Sequence, residues 1–253
     1  MDLREITKST KRHPWEVVRV KTLINISEKW LKHRSNLRVL DIGCGDAYIA
    51  AELQKSIVYE SYDGIDIYLV EPHIEKLSKP ESNISLHNTY DDLKKKHYNL
   101  IFLLDVIEHV EDDYQFLNDI VDKYGAHEAL IMITAPAFNF LFSSHDNFLG
   151  HYRRYHLKKL ITLTHNARLK LLSSGYMFLS LVPVRLLFLY FEKFVQSQTS
   201  QQKGAGYWNH GVIISKIIEL FLLFDNRVSL CLNKLGIKPP GLTVWALCKK
   251  QQS

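Results

Sequence analysis

Hydrophobic and polar positions along the chain switch repeatedly between the period of a strand and the period of a helix. Apolar residues at helical spacing predict a first helix from Pro14 to about Leu31. Short apolar runs bounded by polar residues or glycine predict buried strands. These strands are predicted at Leu37–Ile42, Tyr62–Asp66, Ile84–Asn88, Leu100–Leu104 and Ala129–Thr134.

Further helices are predicted between these strands. One is capped by Asp46 and runs to Leu53, another covers Glu71–Leu77 and a third covers Asp112–Lys123. Strands that alternate with helices at this spacing require a parallel sheet with helices on both faces. We therefore predict an α/β fold built on a doubly wound parallel sheet.

The composition is that of one water-soluble globular domain spanning 1–253. The chain is 46% apolar and 23% charged, with a formal net charge of +5. This charge is too small to indicate nucleic acid as a partner, and no basic patch with interleaved aromatic residues is present. The three cysteines lack zinc-ligand spacing, which favours a reduced, cytoplasmic location.

A glycine turn between a predicted strand and a predicted helix indicates a ligand site. Asp41, Gly43, Cys44 and Gly45 stand at this turn, and Asp66 lies at the end of the next predicted strand, 21 residues after Gly45. Glycines allow a sharp turn and close approach to a ligand, while a carboxylate after the second strand can accept both hydroxyls of a ribose. The ligand should therefore carry a nucleoside.

The turn resembles the first motif of the class I S-adenosylmethionine-dependent methyltransferases. A dinucleotide site would have a third glycine where this chain has Tyr48, whereas the methyltransferase motif is acidic-x-Gly-x-Gly-x-Gly, here with Ala47 in place of the last glycine. The resemblance implies a seven-stranded, mostly parallel, Rossmann-like sheet that binds S-adenosylmethionine. It also implies that the turn holds the methionine part and that Asp66, with Ile67 beside it, holds the ribose.

A second stretch, Tyr98–Val110, resembles the fourth strand and following turn of small-molecule and lipid-type methyltransferases, and Gly241–Cys248 resembles the closing strand of that fold. It implies that Asp105 and Val106 line the cofactor near its methionine end, and that the loop 88–92 contacts the adenine. Glu108 and His109 cap the next helix or form part of a metal site. No metal site is predicted, because the sequence identifies no third ligand.

Aromatic, histidine and arginine residues crowd the segment 136–160, where this fold places substrate residues. We predict His145 and His151 as catalytic bases. Substrate-binding residues are predicted at Asp146, Arg153, Arg154 and Tyr155. The alternative is that the arginines tie the segment to surface carboxylates and the histidines cap turns.

Two segments are predicted to cover the site. Residues 1–35 are predicted to form an N-terminal helix that covers the cofactor, as such helices do in relatives, with core packing of Trp15 as the alternative. Residues 175–240 are predicted to form an apolar helical insertion before the last strand. The run Met177–Phe191 carries a single charge but is too short to span a bilayer, and a second apolar helix follows at Val212–Leu235. The insertion encloses an apolar acceptor, rests on the inner face of a membrane near Lys193 and Lys203, or packs as plain structure or on a second subunit.

The resulting functional hypothesis is an S-adenosylmethionine-dependent methyltransferase that methylates oxygen on an apolar or lipid-like small molecule. Asp105-Val106-Ile107-Glu108 lacks the prolines of base-methylating enzymes, so no nucleic acid partner is expected. Two alternatives stay open: a nicotinamide-dependent oxidoreductase on a similar sheet, and a non-catalytic S-adenosylmethionine-binding partner protein. The oligomeric state is not predicted.

Overall fold

The computed structural model describes residues 12–32, 34–70, 74, 83–91, 93, 97–195, 208 and 210–251, with only the backbone for 192–195. Seven strands form one sheet in the order β3-β2-β1-β4-β5-β7-β6. The strands are β1 Arg38–Ile42, β2 Ser61–Ile65, β3 Ile84–His87, β4 Tyr98–Leu104, β5 Gly125–Pro136, β6 Leu169–Met177 and β7 Thr243–Lys250. The predicted fold class is confirmed.

Strands β1 to β5 are parallel, and β7 runs antiparallel between β5 and β6. Ile42 at the end of β1 pairs with Ile65 of β2 and Leu103 of β4. Apolar residues pack both faces of the central strands, which explains their continuous hydrophobic runs. The carboxyl ends of β1, β2 and β4 therefore meet at one edge, directly before Gly43, Asp66 and Asp105.

Helices cover both faces of the sheet. They are α1 Pro14–Leu31, α2 Tyr48–Leu53, α3 Asp113–Tyr124, α4 Ser144–Leu149, α5 Leu157–Asn166, α6 Leu181–Val195 and α7 Val212–Lys234. Side chains of α1, α2 and α7 share one core cluster, and those of α3 and α5 share the other. The proline at the start of α1 lacks an N–H that would need a partner there, and Asp112 Oδ1 caps α3 by accepting the N–H of Gln115 at 2.9 Å.

The predicted capping role of Asp46 is wrong. Ala47 precedes α2 in a left-handed conformation with φ 56°, and no side chain caps this helix. The carboxylate of Asp46 instead forms an ion pair with Arg12, whose guanidinium also lies over the Tyr48 ring. The Asp46 carboxylate thus pairs with Arg12, which precedes α1, instead of accepting a backbone N–H at the start of α2.

The insertion follows β6, which extends to Met177, so the connection to β7 starts two residues beyond the predicted Gly175. It contains α6 and α7, and α7 packs against α1. The linker 196–206 and Lys203 lie outside the described residues, as do the side chain of Lys193 and, apart from Ile74, the predicted helix Glu71–Leu77. No helix in the described part of the chain has both the length and the apolar character needed to cross a bilayer.

Candidate active site

The turn after β1 is held against the adjoining strands. The backbone N–H groups of Gly43 and Cys44 both donate to the carbonyl of Ile65, at 2.8 and 3.1 Å. Gly43 has φ +72°, and a Cβ there would stand 2.7 Å from Val106 Cγ2. Only glycine fits this position, and its closeness to Val106 joins the two motifs recognised in the sequence.

Asp66 is fixed by its own loop. One carboxylate oxygen accepts the N–H of Gly45 at 3.0 Å, and the other accepts the N–H of Tyr68 at 2.9 Å. Each carboxylate oxygen has a second lone pair, so two further hydrogen bonds can be accepted. The side chain is half-buried and faces the cavity described below.

Asp41 lies beneath the turn as a buried acid. Its Oδ2 accepts a hydrogen bond from the Tyr62 hydroxyl, while Oδ1 has no partner among the described residues. Burial raises the pKa of Asp41 to about 7. An unsatisfied buried acceptor in a cavity wall favours a ligand that brings a donor or a positive charge.

A cavity of about 750 Å³ opens at this edge of the sheet. Its wall includes seven of the eight predicted cofactor residues, namely Asp41, Gly43, Cys44, Asp66, Ile67, Asp105 and Val106. Gly45 is not part of the wall; its N–H donates to Asp66. Within the predicted adenine loop, Tyr90 lines the cavity, and Tyr68 lines it from the loop after β2. Asp92 lies outside the described residues.

The N-terminal helix supplies part of the same wall. Arg12, His13, Trp15 and Arg19 all line the cavity. Arg19 is buried, lies over the Trp15 ring at 4.6 Å and forms an ion pair with Asp105. Sequence reasoning missed Arg19, which belongs to neither motif. The one feature that could have indicated it is its position as a charged residue among the apolar residues on the buried face of α1.

Asp105 is held in a constrained backbone position. It has φ 56°, its N–H donates to the Thr134 carbonyl at 3.1 Å, and Thr134 Oγ1 donates to its Oδ1 at 2.9 Å. The Asp105 carboxylate is therefore engaged by Thr134 of β5 and by Arg19 of α1. Asp105 is therefore a fixed, charge-compensated part of the wall rather than a general base.

On the segment after β5, Asp146 is the centre of a network of hydrogen bonds. It is fully buried and accepts from Arg154 through both oxygens at 2.8 and 2.9 Å, from His151 Nδ1 at 2.8 Å and from the N–H of Ser143 at 2.9 Å. Burial alone would raise the pKa of Asp146, but the bonds from His151 and Arg154 lower it below its usual range. Arg185 of α6 adds an ion pair at 3.5 Å.

The structure does not bring Arg153 and Tyr155 to the cavity, contrary to their predicted role. Arg153 pairs with Asp113 at 3.1 Å and donates to the Glu111 carbonyl at 2.6 Å. Tyr155 is buried and its hydroxyl donates to Asp113 at 2.6 Å. Both side chains connect this segment to Asp113 at the start of α3. For Arg153 the alternative prediction, an ion pair with a carboxylate outside the substrate site, therefore describes the structure.

His145 and His151 both line the cavity, with Asp146 and Arg154 beside them. Burial and the nearby Arg185 lower the pKa of His145, which keeps its imidazole neutral near pH 7. The ring centroids of His151 and His109 are 4.6 Å apart in an edge-on arrangement.

Glu108, for which the sequence left a helix-capping role and a metal-binding role open, lines the cavity. It is fully buried, neither carboxylate oxygen has a hydrogen-bond partner among the described residues, and burial raises its pKa to about 8. It belongs to a 3₁₀ turn, Ile107–His109, rather than capping α3. The predicted capping role is therefore wrong for this residue.

A profile of the methyltransferase domain matches residues 19–174, more than half of the chain. The chain belongs to this methyltransferase family. Ubiquinone biosynthesis O-methyltransferases of Rickettsia akari and Rickettsia typhi are 29% identical over 129 residues and 30% identical over 123 residues. These matches cover 48% and 46% of this chain and 50% and 48% of the relatives. The chain thus spans about half the length of the curated relatives it matches.

Solved methyltransferases share the fold at low identity. N-methyltransferase NodS from Bradyrhizobium japonicum WM9, solved with S-adenosyl-L-homocysteine, has a TM-score of 0.53 and 14% identity over 95% of this chain and 89% of its own. Phosphoethanolamine N-methyltransferase 2 from Haemonchus contortus, solved with S-adenosyl-L-methionine, has a TM-score of 0.56 and 12% identity over 92% of this chain and 53% of its own. Identities this low show the fold alone.

The cofactor of this methyltransferase domain is S-adenosylmethionine. The described residues fit that molecule on two observations. Gly43 leaves the space that a Cβ would fill beside Val106, and Asp41 offers a buried oxygen without a partner. The family assignment favours a methyltransferase over the alternative of a nicotinamide-dependent oxidoreductase.

Proposed function

We propose that the protein transfers the methyl group of S-adenosylmethionine to an oxygen of an apolar or lipid-like small molecule. The observation that carries this proposal is the continuity of the cavity. One wall comes from the turns after β1, β2 and β4, and the other from the segment after β5 and from Leu181 and Arg185 of the insertion. The O-methyltransferase names of the curated relatives support oxygen as the acceptor atom.

In this proposal the chain binds and orients the cofactor at three places. Asp66 accepts hydrogen bonds from the ribose hydroxyls, because its carboxylate is already held by Gly45 and Tyr68. Asp41 faces the positively charged amino-acid end, and Tyr90 lies at the adenine end. When bound, S-adenosylmethionine supplies a methyl group on a positively charged sulfur.

The opposite wall receives the acceptor. His145 has a lowered pKa and lines the cavity, so its neutral imidazole can accept the hydroxyl proton of the acceptor. Apolar side chains such as Trp15, Leu149 and Leu181 exclude water from the same space. The insertion thereby contributes to acceptor binding.

The proposed reaction is tested with methyl-labelled S-adenosylmethionine. We expect the purified protein to transfer label to a compound that partitions into organic solvent when it is incubated with a lipid extract, and not with an aqueous metabolite extract. Survival of the labelled product through mild alkaline hydrolysis excludes a methyl ester. Release of the label as methyl iodide by hydriodic acid, under conditions that leave N-methyl groups intact, then identifies an O-methyl ether. Calorimetric titration should show binding of S-adenosylmethionine and none of NADH.

Two outcomes would contradict the proposal. Tight binding of S-adenosylmethionine without transfer to any extract would favour the non-catalytic partner protein. Label recovered only in water-soluble products would exclude an apolar acceptor.

We further propose that the insertion rests on an anionic membrane surface. Its helices leave large apolar side chains in solvent, including Leu187 at 59%, Phe188 at 58% and Phe224 at 66% exposure. In α7, Glu219 pairs with Lys21 and Lys216, and Asp225 is buried. The exposed charges of α7 are therefore basic, namely Lys216, Arg227 and Lys234. Helix α7 thus exposes both apolar and basic side chains, a combination that favours the interface of an anionic bilayer.

Co-sedimentation with vesicles tests this contact. We expect the protein to bind vesicles containing phosphatidylserine, and the double variant Leu187→Asp, Phe188→Asp to lose most of that binding. Two buried Leu- or Phe-sized side chains contribute roughly 1.5–3 kcal/mol each. Val58→Asp with Tyr114→Asp is the matched control, because both residues are exposed and lie outside the insertion. Equal binding of both double variants, or a stable dimer that ignores vesicles, would contradict the membrane proposal.

A further inference from the structure

Three potential metal ligands converge between the turn after β4 and the segment after β5. They are Glu108, His109 and His151, and one ligand atom from each lies within 4.8 Å of the other two. Around a single Zn²⁺ bound at about 2.0–2.1 Å, tetrahedral geometry separates neighbouring ligand atoms by about 3.3 Å. Side-chain movements on the order of 1 Å would therefore bring the three ligand atoms to the spacing found around Zn²⁺.

The buried carboxylate of Glu108 is the second observation that indicates a cation. Both of its oxygens lack a hydrogen-bond partner among the described residues, although the side chain is fully buried in the cavity wall. A buried carboxylate without a partner is costly, so natural sites pair it with a cation or keep it protonated.

The neighbouring arginines are engaged elsewhere. Arg19 pairs with Asp105, while Arg154 and Arg185 pair with Asp146. Each of these guanidinium groups already faces a carboxylate other than Glu108. Arg19 and Arg154 are near enough to attract the Glu108 carboxylate, but neither donates a hydrogen bond to it among the described residues. A cation in direct contact with its oxygens would therefore have to come from a bound ion.

The backbone already holds the three residues together. The N–H of Tyr152 donates to the Glu108 carbonyl at 2.8 Å, which joins the residue after His151 to the residue before His109. Tyr155 and Arg153 reinforce this junction through Asp113. Pre-positioned ligands on two tied segments are what a preformed metal site requires.

His151 is oriented as metal-binding histidines are. Its Nδ1 lies 2.8 Å from Asp146 Oδ1, so the ring presents Nε2 as its remaining nitrogen. A carboxylate on the far nitrogen fixes the tautomer and makes the ligating nitrogen more basic. Asp146 is in this respect a positioning residue.

We propose that Glu108, His109 and His151 bind a divalent cation, with Zn²⁺ as the best match, where the turn after β4 meets the segment after β5 in the cavity wall. Two imidazoles and one carboxylate suit Zn²⁺, and three protein ligands leave a position for a further oxygen. The sequence indicated Glu108 and His109 but no third ligand, because His151 is 42 residues further along the chain.

The role of the cation rests on the proposed function. It would bind the acceptor hydroxyl and favour its ionised form, with the proton released to a base such as His145 or to water. The resulting oxyanion forms a bond to the methyl carbon as the carbon–sulfur bond breaks, and the sulfonium becomes a neutral thioether. The acceptor class is therefore narrowed to molecules whose reacting oxygen can ligate a metal, such as phenols.

Metal binding is tested directly, without cofactor or acceptor, by titrating the full chain with Co²⁺ and following its visible absorption. We expect one Co²⁺ per chain, displaced by Zn²⁺. Removing a residue that hydrogen-bonds to a metal ligand typically lowers metal affinity 10–100-fold. Glu108→Gln and His151→Ala alter the ligands themselves, so each should weaken Co²⁺ binding by at least about 100-fold. His145→Ala, in the same cavity, and His165→Gln, exposed on α5, should change it by less than about threefold.

Circular dichroism establishes that each variant is folded, and Glu108→Gln keeps the shape of the side chain. No Co²⁺ binding by the wild-type chain, or equal affinity in all variants, would overturn the proposal. So would an infrared band of a protonated carboxyl that is absent in Glu108→Gln and unchanged by Zn²⁺. Calorimetry with S-adenosylmethionine is run separately, so loss of cofactor binding with metal binding intact contradicts only the proposed function.

Discussion

Replacing Asp146 by alanine is expected to lower the free energy of unfolding by about 3–5 kcal/mol, the range observed when one partner of a buried ion pair is removed. Arg154 is only 8% exposed and would lose both of its bonds to this carboxylate. Ser143 and His151 would lose partners as well. Chemical denaturation of the purified variant measures the effect.

The matched control is Asp122→Ala on α3. Asp122 is half-exposed and its ion pair with Arg168 is long, at 3.8 Å. Exposed pairs contribute about 0–1 kcal/mol, so this variant should unfold almost like the wild type. A loss below about 1 kcal/mol for Asp146→Ala would mean that the network is not a stabilising element.

The second large effect is expected on cofactor affinity. In Asp66→Ala the dissociation constant for S-adenosylmethionine should rise at least tenfold, because two hydrogen bonds to a charged group, each worth about 1.5–3 kcal/mol, are lost. The loop also loses the contacts to Gly45 and Tyr68 that shape it. Isothermal titration calorimetry gives the dissociation constant.

Asp91→Ala separates this effect from a general change in charge. Asp91 is exposed in a loop close to the site and does not line the cavity. Its removal should leave the affinity within about twofold of the wild type. Asp66→Asn retains one carbonyl oxygen, so its dissociation constant should lie between those of Asp91→Ala and Asp66→Ala. Unchanged affinity in a folded Asp66→Ala variant would exclude Asp66 from cofactor binding.

The sheet and the cofactor side of the cavity follow from local sequence patterns. A strand buried on both faces needs a continuous apolar run, as at Leu100–Leu104, and a chain that turns sharply beside Val106 needs glycine at 43. Strand spacing placed Asp66 near that turn, and the family resemblance placed Asp105 there; both positions follow the ends of parallel strands that meet at one edge. Each of these features depends on a few consecutive residues.

The acceptor side depends on contacts between distant segments, which sequence spacing does not encode. Arg153 and Tyr155 stand beside Arg154, yet only Arg154 lines the cavity. Asp113 lies 42 residues before Tyr155 and draws both neighbours away from the cavity. Charged and polar side chains take the partner that the fold presents, so a motif fixes which residues are near but not which way they face.

The sequence by itself determined the α/β sheet, the glycine turn and the identity of the residues that bear the family resemblance. Only the tertiary structure decided that Arg19 closes on Asp105, that Asp46 pairs with Arg12 rather than capping α2, and that His151 meets Glu108 and His109. The physical reason is that backbone turns and hydrophobic period act over a few residues. Buried ion pairs and metal ligands instead form wherever the folded chain brings charges together out of water.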